Sequence, residues 1–323
     1  EMACAHNGSV QEAKDLIDAA VEARADAVQL QFFVADETVT PHHEAYSVVK
    51  RIEFDKETWT LLVNYAKAKN IHVWACTYDV PSVQLAVETA CDGIKLNSAD
   101  LSNPDVLKAV AASGIPFTLG TGASTKQEIE SGIDLLKKNG ASSCILMHGV
   151  QNFPTAIEDL HINRISWLHQ NFPQPPVGYA DHTEGENPFA KVVDLLAVAK
   201  GAAVIEKHIT LDRSQKGIDY QAALEPAEYV DFVERIRKAY IALGSNQEGP
   251  FSESDLKYRK FQKKSVVAPR HINQGEISTR SDIKFIRNVE PGLAPVYFQK
   301  IEGRTANKAI QAYQNITEDD VNH

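Results

Sequence analysis

Two histidines each close a short apolar run that is typical of a buried strand. His182 stands in GYADHTEG, residues 178–185, and His208 ends AAVIEKH, residues 202–208. Two neutral imidazoles suit a borderline divalent cation such as Mn²⁺, Co²⁺ or Zn²⁺, with carboxylate and water completing the ligand shell. Two separately hydrogen-bonded histidines are the alternative. Asp181 precedes His182, but neighbouring strand residues point to opposite faces, so we expect Asp181 to orient the following loop.

Lys95 is a single lysine inside the otherwise apolar run GIKLNS, residues 93–98. A buried ammonium is costly without an anionic partner, so Lys95 is expected to meet a carboxylate or a phosphate. A Schiff-base lysine is the rival interpretation. A metal at the two histidines would already polarise a carbonyl group, which favours the first interpretation.

These residues need a scaffold that brings them together. About eight short apolar runs alternate with helical patterns, starting near residues 2, 26, 72, 93, 116, 143, 177 and 202. Helix starts are indicated by Ser9 before Glu12, by Asn103-Pro104 and by Ser124 before Gln127. Eight strand–helix units predict an α/β fold, a (β/α)8 barrel of the triosephosphate-isomerase type. A doubly wound sheet would call for a glycine-rich dinucleotide turn, and EMACAHNGS has none.

In such a barrel the active site forms at the C-terminal ends of the strands. Any one polar residue at a strand end often only caps the next helix. Here they recur around the whole rim, and that coincidence predicts one site. They are His6, Asn7, Gln29, Gln31, Thr77, Lys95, Asn97, Ser98, Asp100, Thr121, His148, Gln151, Asp181, His182 and His208.

Composition excludes several classes of protein. The formal net charge of −10 argues against a nucleic-acid or anionic-membrane partner. No apolar stretch reaches the roughly 18 residues that span a bilayer. Four cysteines without CxxC spacing are expected to be reduced core residues, which favours a cytoplasmic protein. The first apolar run starts at the first residue, so we expect some native N-terminal sequence to be missing.

The composition changes near Gly244. We therefore predict a barrel domain over residues 1–244, a polar linker or arm over 245–263 and a small β-rich domain over 264–323. Within the last, HINQGEISTRSDI and AIQAYQNITEDDV look like two copies of one pattern. A domain this small buries little core, so it is expected to lean on the barrel or on a second chain.

Several of these segments resemble the sialic acid synthase family, which condenses phosphoenolpyruvate with an N-acetylated hexosamine. EMACAHNGS is similar to the family's EIGxNHxGS, KLNSAD to KIxSxE, ADHT to SDHT, and HITLDRSQKGID to HFTLDRxxPGPD. The segment from KSVVAPRHINQGEI onward resembles the family's C-terminal antifreeze-like (SAF) domain. The resemblance covers the whole chain.

The resemblance implies a metal-dependent reaction that yields a nonulosonic acid and phosphate. His182 and His208 would bind Mn²⁺, with Mg²⁺ or Co²⁺ as alternatives, and Glu1 would be an acid/base group or a partner of metal-bound water. Lys95, Ser98 and Thr77 would hold phosphoenolpyruvate, and Asp219 would meet the sugar. Further substrate-binding candidates are Gln29, Gln31, Asp100, Thr121, His148, Gln151 and Phe153. Family members are domain-swapped homodimers in which an arginine of the small domain reaches the partner's site, and the resemblance implies this role for Arg287. Phe261 matches an aromatic residue of the family's arm and is a further substrate-binding candidate.

This chain also departs from the family pattern. It has Gln29 where the family usually has lysine, Gly120 where it has serine and Gln151 where it has asparagine. Losing one lysine removes a charge-assisted contact worth about 1.5–3 kcal/mol, which predicts a weakened or rearranged donor site. Two alternatives stay open: a related barrel synthase or aldolase with another donor or acceptor, and a non-catalytic protein that binds a sugar acid.

Overall fold

The structure, a computed structural model, describes residues 1–322, which divide into two compact units, 1–244 and a second that begins at Ser245. The first unit is built on parallel strands, each paired with the next along the chain. The strands are β1 Ala27–Phe32, β2 His72–Thr77, β3 Gly93–Leu96, β4 Phe117–Gly120, β5 Ile145–His148, β6 Val177–Asp181, β7 Val204–Ile209 and β8 Ala223–Leu224.

Residues 1–3 close this sheet into a barrel. The backbone nitrogen of Glu1 donates to the Lys207 carbonyl at 2.7 Å, and the Ile209 nitrogen donates to the Glu1 carbonyl at 2.9 Å. On the other side, the Met2 nitrogen donates to the Gln29 carbonyl at 3.0 Å. Segment 1–3 therefore lies between β7 and β1 as the first barrel strand. The eight predicted runs correspond to this segment and β1–β7, which confirms the TIM-like barrel.

Helices follow the strands and cover the outside of the barrel. Several begin where the sequence supplies a side-chain acceptor: Ser9, Asp55, Asp79 and Asn103 each accept a backbone N–H of the first turn. The helices are α1 Val10–Glu22, α2 Ala35–Thr38, α3 Tyr46–Ile52, α4 Lys56–Ala68, α5 Val80–Glu88, α6 Pro104–Ser113, α7 Lys126–Lys138, α8 Asn163–Asn171, α9 Val193–Ala199 and α10 Pro226–Leu243.

The start of α7 differs by one residue from the prediction. Thr125 and Glu128 form the reciprocal capping box there, whereas Ser124 had been expected to cap with Gln127. Serine and threonine both accept from a helix N terminus, so sequence spacing alone does not choose between adjacent residues.

Two large side chains fill the barrel interior opposite two glycines. A Cβ at Gly93 would collide with the indole ring of Trp74, and one at Gly178 would collide with the sulfur of Met147. Glycine at these strand positions thus makes room for bulky neighbours.

A charged cluster ties β6 and β7 to α9 on the outer face of the barrel. The Lys207 ammonium pairs with Asp181 and, at 3.4 Å, with Asp194, and it donates to the Ala190 carbonyl at 2.8 Å. Asp181 also accepts from the Thr183 hydroxyl at 2.6 Å. Asp181 therefore points away from the barrel interior and holds the loop after β6.

The second unit contains α11, Glu253–Gln262, followed by the antiparallel pair β9 Ser265–Val267 and β10 Lys284–Ile286. Its own apolar core includes Ile272, Ile301 and Ile310. α11 lies within the stretch that the sequence marks as a linker or arm. Among residues 1–322, the structure has no helix that is both long and apolar enough to cross a membrane, and the four cysteines are free.

The two copies of the sequence pattern in this unit adopt matching local structures. Ile272 of the first copy pairs with Ile310 of the second. Thr279 and Thr317 each form a capping box with the aspartate three residues later. Each aspartate also pairs with a basic residue twelve positions upstream, as in Arg270–Asp282 at 2.6 Å and Lys308–Asp320 at 2.7 Å.

Candidate functional site

A cavity of about 1040 Å³ opens at the C-terminal ends of the barrel strands. This is the end of a parallel barrel where the loops place functional side chains. The structure brings many of the predicted site residues to this cavity. Those that line it are Glu1, Gln31, Lys95, Asn97, Ser98, Gln151, Phe153, His182, His208 and Asp219.

The carboxylate of Glu1 is the centre of the cavity floor. Its Oε2 accepts from Lys95 Nζ at 2.7 Å and from Gln29 Nε2 at 2.6 Å, and its Oε1 accepts from Gln31 Nε2 at 2.6 Å. Burial raises the pKa of Glu1, but Lys95 together with His208, Glu206 and the N-terminal amine outweighs it and holds the pKa well below its usual value. Glu1 is therefore an ionised anchor for three donors.

Glu206 is a second carboxylate that the sequence analysis missed. Its Oε1 accepts from Lys95 Nζ at 2.5 Å, and its Oε2 accepts from Gln29 Nε2 at 3.3 Å. Burial raises the pKa of Glu206 to about 7. The period of two along β7 was the available signal, because Glu206 must face the same side as His208.

His182, Glu206 and His208 form a group that could hold a metal ion. One potential ligand atom from each lies within 4.8 Å of the other two. His182 Nδ1 lies 2.6 Å from the Val150 carbonyl, which can only accept, so the proton is on Nδ1 and Nε2 keeps its lone pair. Burial lowers the pKa of His182 to about 4 and that of His208 well below its usual value. Two neutral imidazoles and a carboxylate fit a borderline divalent cation.

Phe153 and Asp219 are two further side chains that line the cavity. The Phe153 ring packs against both imidazoles, with centroid distances of 4.4 Å to His182 and 5.4 Å to His208. Across the cavity, burial and the charge of Glu1 raise the pKa of Asp219 to about 6. Asp219 also has a positive φ of 60°, a conformation that few non-glycine residues adopt.

Besides Gln29, four predicted substrate-binding residues of the first unit do not line the cavity. Thr77 lies on the opposite face of β2 from Cys76, the register partner of Lys95, and its hydroxyl is buried without a partner. His148 Nε2 bonds to the Leu160 carbonyl at 2.8 Å.

Thr121 and Asp100, the other two of these residues, also form hydrogen bonds within the barrel unit. The Thr121 hydroxyl donates to the Met147 carbonyl, and Asp100 accepts from Asn103 Nδ2, both at 3.0 Å.

The structure shows what surrounds Gln29 and Gly120, two positions that depart from the family pattern. Gln29 lies beneath the cavity and bridges Glu1 and Glu206, so it binds carboxylates. A Cβ at Gly120 would lie 2.7 Å from the Ser98 backbone nitrogen, so a serine there would require the connection after β3 to shift. Phe261 and Arg287 belong to the second unit, and their roles stay predictions.

Comparison with known proteins shows the family. The protein-family model described as NeuB family matches residues 16–248 of this chain. This chain belongs to the NeuB family. The chain is 31% identical over 325 residues to N,N'-diacetyllegionaminic acid synthase of Legionella pneumophila, which covers 95% of this chain and 89% of that protein. It is 28% identical over 336 residues to pseudaminic acid synthase of Campylobacter jejuni, covering 99% and 95%.

A solved structure agrees with these relatives. The crystal structure of N-acetylneuraminic acid (sialic acid) synthetase from Leptospira borgpetersenii in complex with citrate superposes with a TM-score of 0.72 at 32% identity. The match covers 79% of this chain and 88% of that one. The resemblance to sialic acid synthases, and with it the expectation of an enzyme of the condensing synthase class, is confirmed at the level of the family.

Proposed function

We propose that this chain condenses phosphoenolpyruvate with an N-acetylated amino hexose, such as an N-acetylmannosamine-like aldose, to form a nonulosonic acid and phosphate. The observation that carries the proposal is the juxtaposition of Lys95 with the group His182, Glu206 and His208: Lys95 and the two histidines line one cavity, and Glu206 contacts Lys95. An anion-binding ammonium beside a metal-type donor set suits a reaction between an anionic donor and a carbonyl acceptor. Membership of the NeuB family and the names of the relatives support the same reaction class.

His182, Glu206 and His208 would hold a divalent cation, for which Mn²⁺ is our first candidate. Bound there, the cation would polarise the aldehyde oxygen of the open-chain sugar. Phe153 covers the two imidazoles and keeps water from one side of them.

The remaining residues bind and orient the substrates. Lys95 and Ser98 would hold the phosphate and carboxylate groups of phosphoenolpyruvate, and Gln151 lies on the same cavity wall. Glu1 stays ionised and fixes Lys95, so it positions the lysine. Asp219, whose pKa is raised to about 6 by burial and the charge of Glu1, can exchange a proton with a sugar hydroxyl near neutral pH.

The atoms of the reaction balance with one added water. C3 of phosphoenolpyruvate forms a bond to the aldehyde carbon, and the aldehyde oxygen takes a proton to become a hydroxyl. Water adds at C2, and cleavage of the C2–O bond to the phosphoryl group releases inorganic phosphate and leaves the 2-keto acid. No oxidant or reductant is required.

The test is phosphate release from phosphoenolpyruvate with Mn²⁺ across N-acetylmannosamine, its diamino and 6-phosphate relatives, and mannose. Release with an acetamido sugar, abolished by chelation, is the expected result and would also identify the acceptor. The double variant His182→Ala with His208→Ala should be inactive and should no longer bind Mn²⁺ in calorimetry. Full turnover by that variant would disprove the metal role, and no release with any sugar would point to a different donor or to a binding protein.

We also propose that the second unit is an antifreeze-like domain that serves the partner's cavity in a cytoplasmic homodimer. Its paired repeats and separate core support an independent domain. The exposed Arg287 is the proposed contributor. A mixture of His208→Ala and Arg287→Ala chains, exchanged under mild denaturant, should regain activity that neither has alone, because mixed dimers contain one intact composite site. Absence of any recovery would contradict the exchange.

A further inference from the structure

Lys95 is the one Lys or Arg that lines the cavity within residues 1–322, and both of its close partners are carboxylates. Its ammonium lies 2.7 Å from Glu1 Oε2 and 2.5 Å from Glu206 Oε1. Two of its three N–H donors are therefore engaged by groups of opposite charge. In this arrangement Lys95 offers little to an incoming anion.

Gln29 reinforces the arrangement. Its Nε2 donates to Glu1 at 2.6 Å and to Glu206 at 3.3 Å, which closes a ring of four side chains. Because Gln29 carries no charge, two carboxylates face a single ammonium. The local charge opposes phosphoenolpyruvate, which is itself strongly anionic.

Glu206 belongs at the same time to the metal-type group with His182 and His208. A divalent cation held by Glu206 would share that carboxylate with the Lys95 ammonium, while Gln29 also donates to it. Like charges held across one small carboxylate repel strongly where water is excluded. Lys95 has a flexible four-carbon stem, so its ammonium can turn away from Glu206.

We propose that Glu206 is a switch that pairs with Lys95 in the metal-free protein and with a divalent cation in the loaded protein. Loading releases Lys95 from one of its two partners and turns its free N–H donors toward the phosphate or carboxylate of the donor substrate. The binding order is therefore cation first and anion second. The inference rests on the proposed function in that it takes phosphoenolpyruvate as the anion.

The test is calorimetric binding of phosphoenolpyruvate to the full chain in EDTA and in Mn²⁺. Wild type should bind at least about tenfold more weakly in EDTA, since a charge-assisted contact is lost. A cation that only contacts phosphoenolpyruvate directly would give the same difference between EDTA and Mn²⁺. The deciding variant is therefore Glu206→Gln, measured in EDTA. Removing the charge that holds Lys95 should tighten binding about tenfold relative to wild type in EDTA, and adding Lys95→Met should abolish that gain.

Glu128→Gln is the matched control, because Glu128 also lines the cavity but does not contact Lys95. It should leave binding in EDTA within about twofold of wild type if the effect is local. Gln29→Lys is the second variant: an added ammonium shared by Glu1 and Glu206 should also strengthen binding without metal. Circular dichroism establishes that each variant is folded.

The outcomes separate the two proposals. If wild type does not bind phosphoenolpyruvate even with Mn²⁺, the proposed donor is wrong and this inference falls with it. If wild type binds with Mn²⁺ but Glu206→Gln does not bind more tightly in EDTA than Glu128→Gln, the switch alone is wrong.

Discussion

The ion cluster on the outer face of the barrel allows a quantitative test of how β6 and β7 are held. Lys207→Met keeps the length of the side chain but leaves the carboxylates of Asp181 and Asp194 facing each other without a counter-charge. All three side chains are fully buried. Removing one member of a buried ionic group typically costs about 3–5 kcal/mol, because the remaining charge is uncompensated.

For a unit of this size, a loss of about 3–5 kcal/mol corresponds to a fall in melting temperature of about 6–20 °C. The assay is chemical and thermal unfolding followed by circular dichroism. Lys200→Met, an exposed lysine seven residues upstream, is the matched control and should change stability by less than about 0.5 kcal/mol. Adding Asp194→Asn to Lys207→Met should recover part of the loss, because one of the two carboxylates is then neutral.

Two results would refute this reasoning. A loss of less than about 1 kcal/mol for Lys207→Met would mean that Asp181 and Asp194 are neutralised or solvated without the lysine. Strict additivity of Lys207→Met and Asp194→Asn would mean that the two side chains do not interact in solution.

Three further predictions follow from single contacts. Gly93→Ala should destabilise the barrel by about 1–3 kcal/mol and shift the fluorescence of Trp74, whose ring it displaces; an unchanged spectrum would argue against this packing. Burial raises the pKa of Glu228, but the hydrogen bonds from Arg213, the Glu225 backbone and Lys191 together lower it to about 2, so these contacts stabilise the fold above about pH 4.5 and the stabilisation is lost as pH falls toward 2. Glu228→Gln should therefore lower the unfolding free energy by about 1–2 kcal/mol at pH 7 and hardly at all at pH 2, and an equal loss at both would contradict the pairing. His208→Ala should weaken Co²⁺ binding at least about tenfold and alter its visible spectrum, whereas an unchanged spectrum would remove His208 from the metal site.

The barrel could be predicted from sequence because each buried strand forms a separate apolar run. Even the first strand, only three residues long, was visible as a run near residue 2, and Glu1 closes the barrel there. The same alternation of faces that separates Asp181 from His182 also places Glu206 with His208. Glu206 was not predicted because position at the strand end singles out His208, the last residue of the run.

Thr77 and His148 show where strand-end reasoning fails. Both stand at the end of a strand, but a strand end has two faces, and the face depends on register against the neighbouring strand. In β2 the partner of Lys95 is Cys76, so Thr77 is turned outward, and in β5 the His148 ring reaches the Leu160 carbonyl. Register is set by pairing between distant segments and is absent from the local pattern.

The departures from the family pattern acquire a physical meaning only in three dimensions. Read along the chain, Gln29 is a lost lysine, which suggests a weaker anion site. In the structure its amide bridges Glu1 and Glu206, so the substitution changes how two carboxylates share Lys95. If Glu206 acts as the proposed switch, one ammonium shared by two carboxylates makes anion affinity depend on whatever else binds Glu206, and the cation and the donor substrate would then be cooperative ligands of one site.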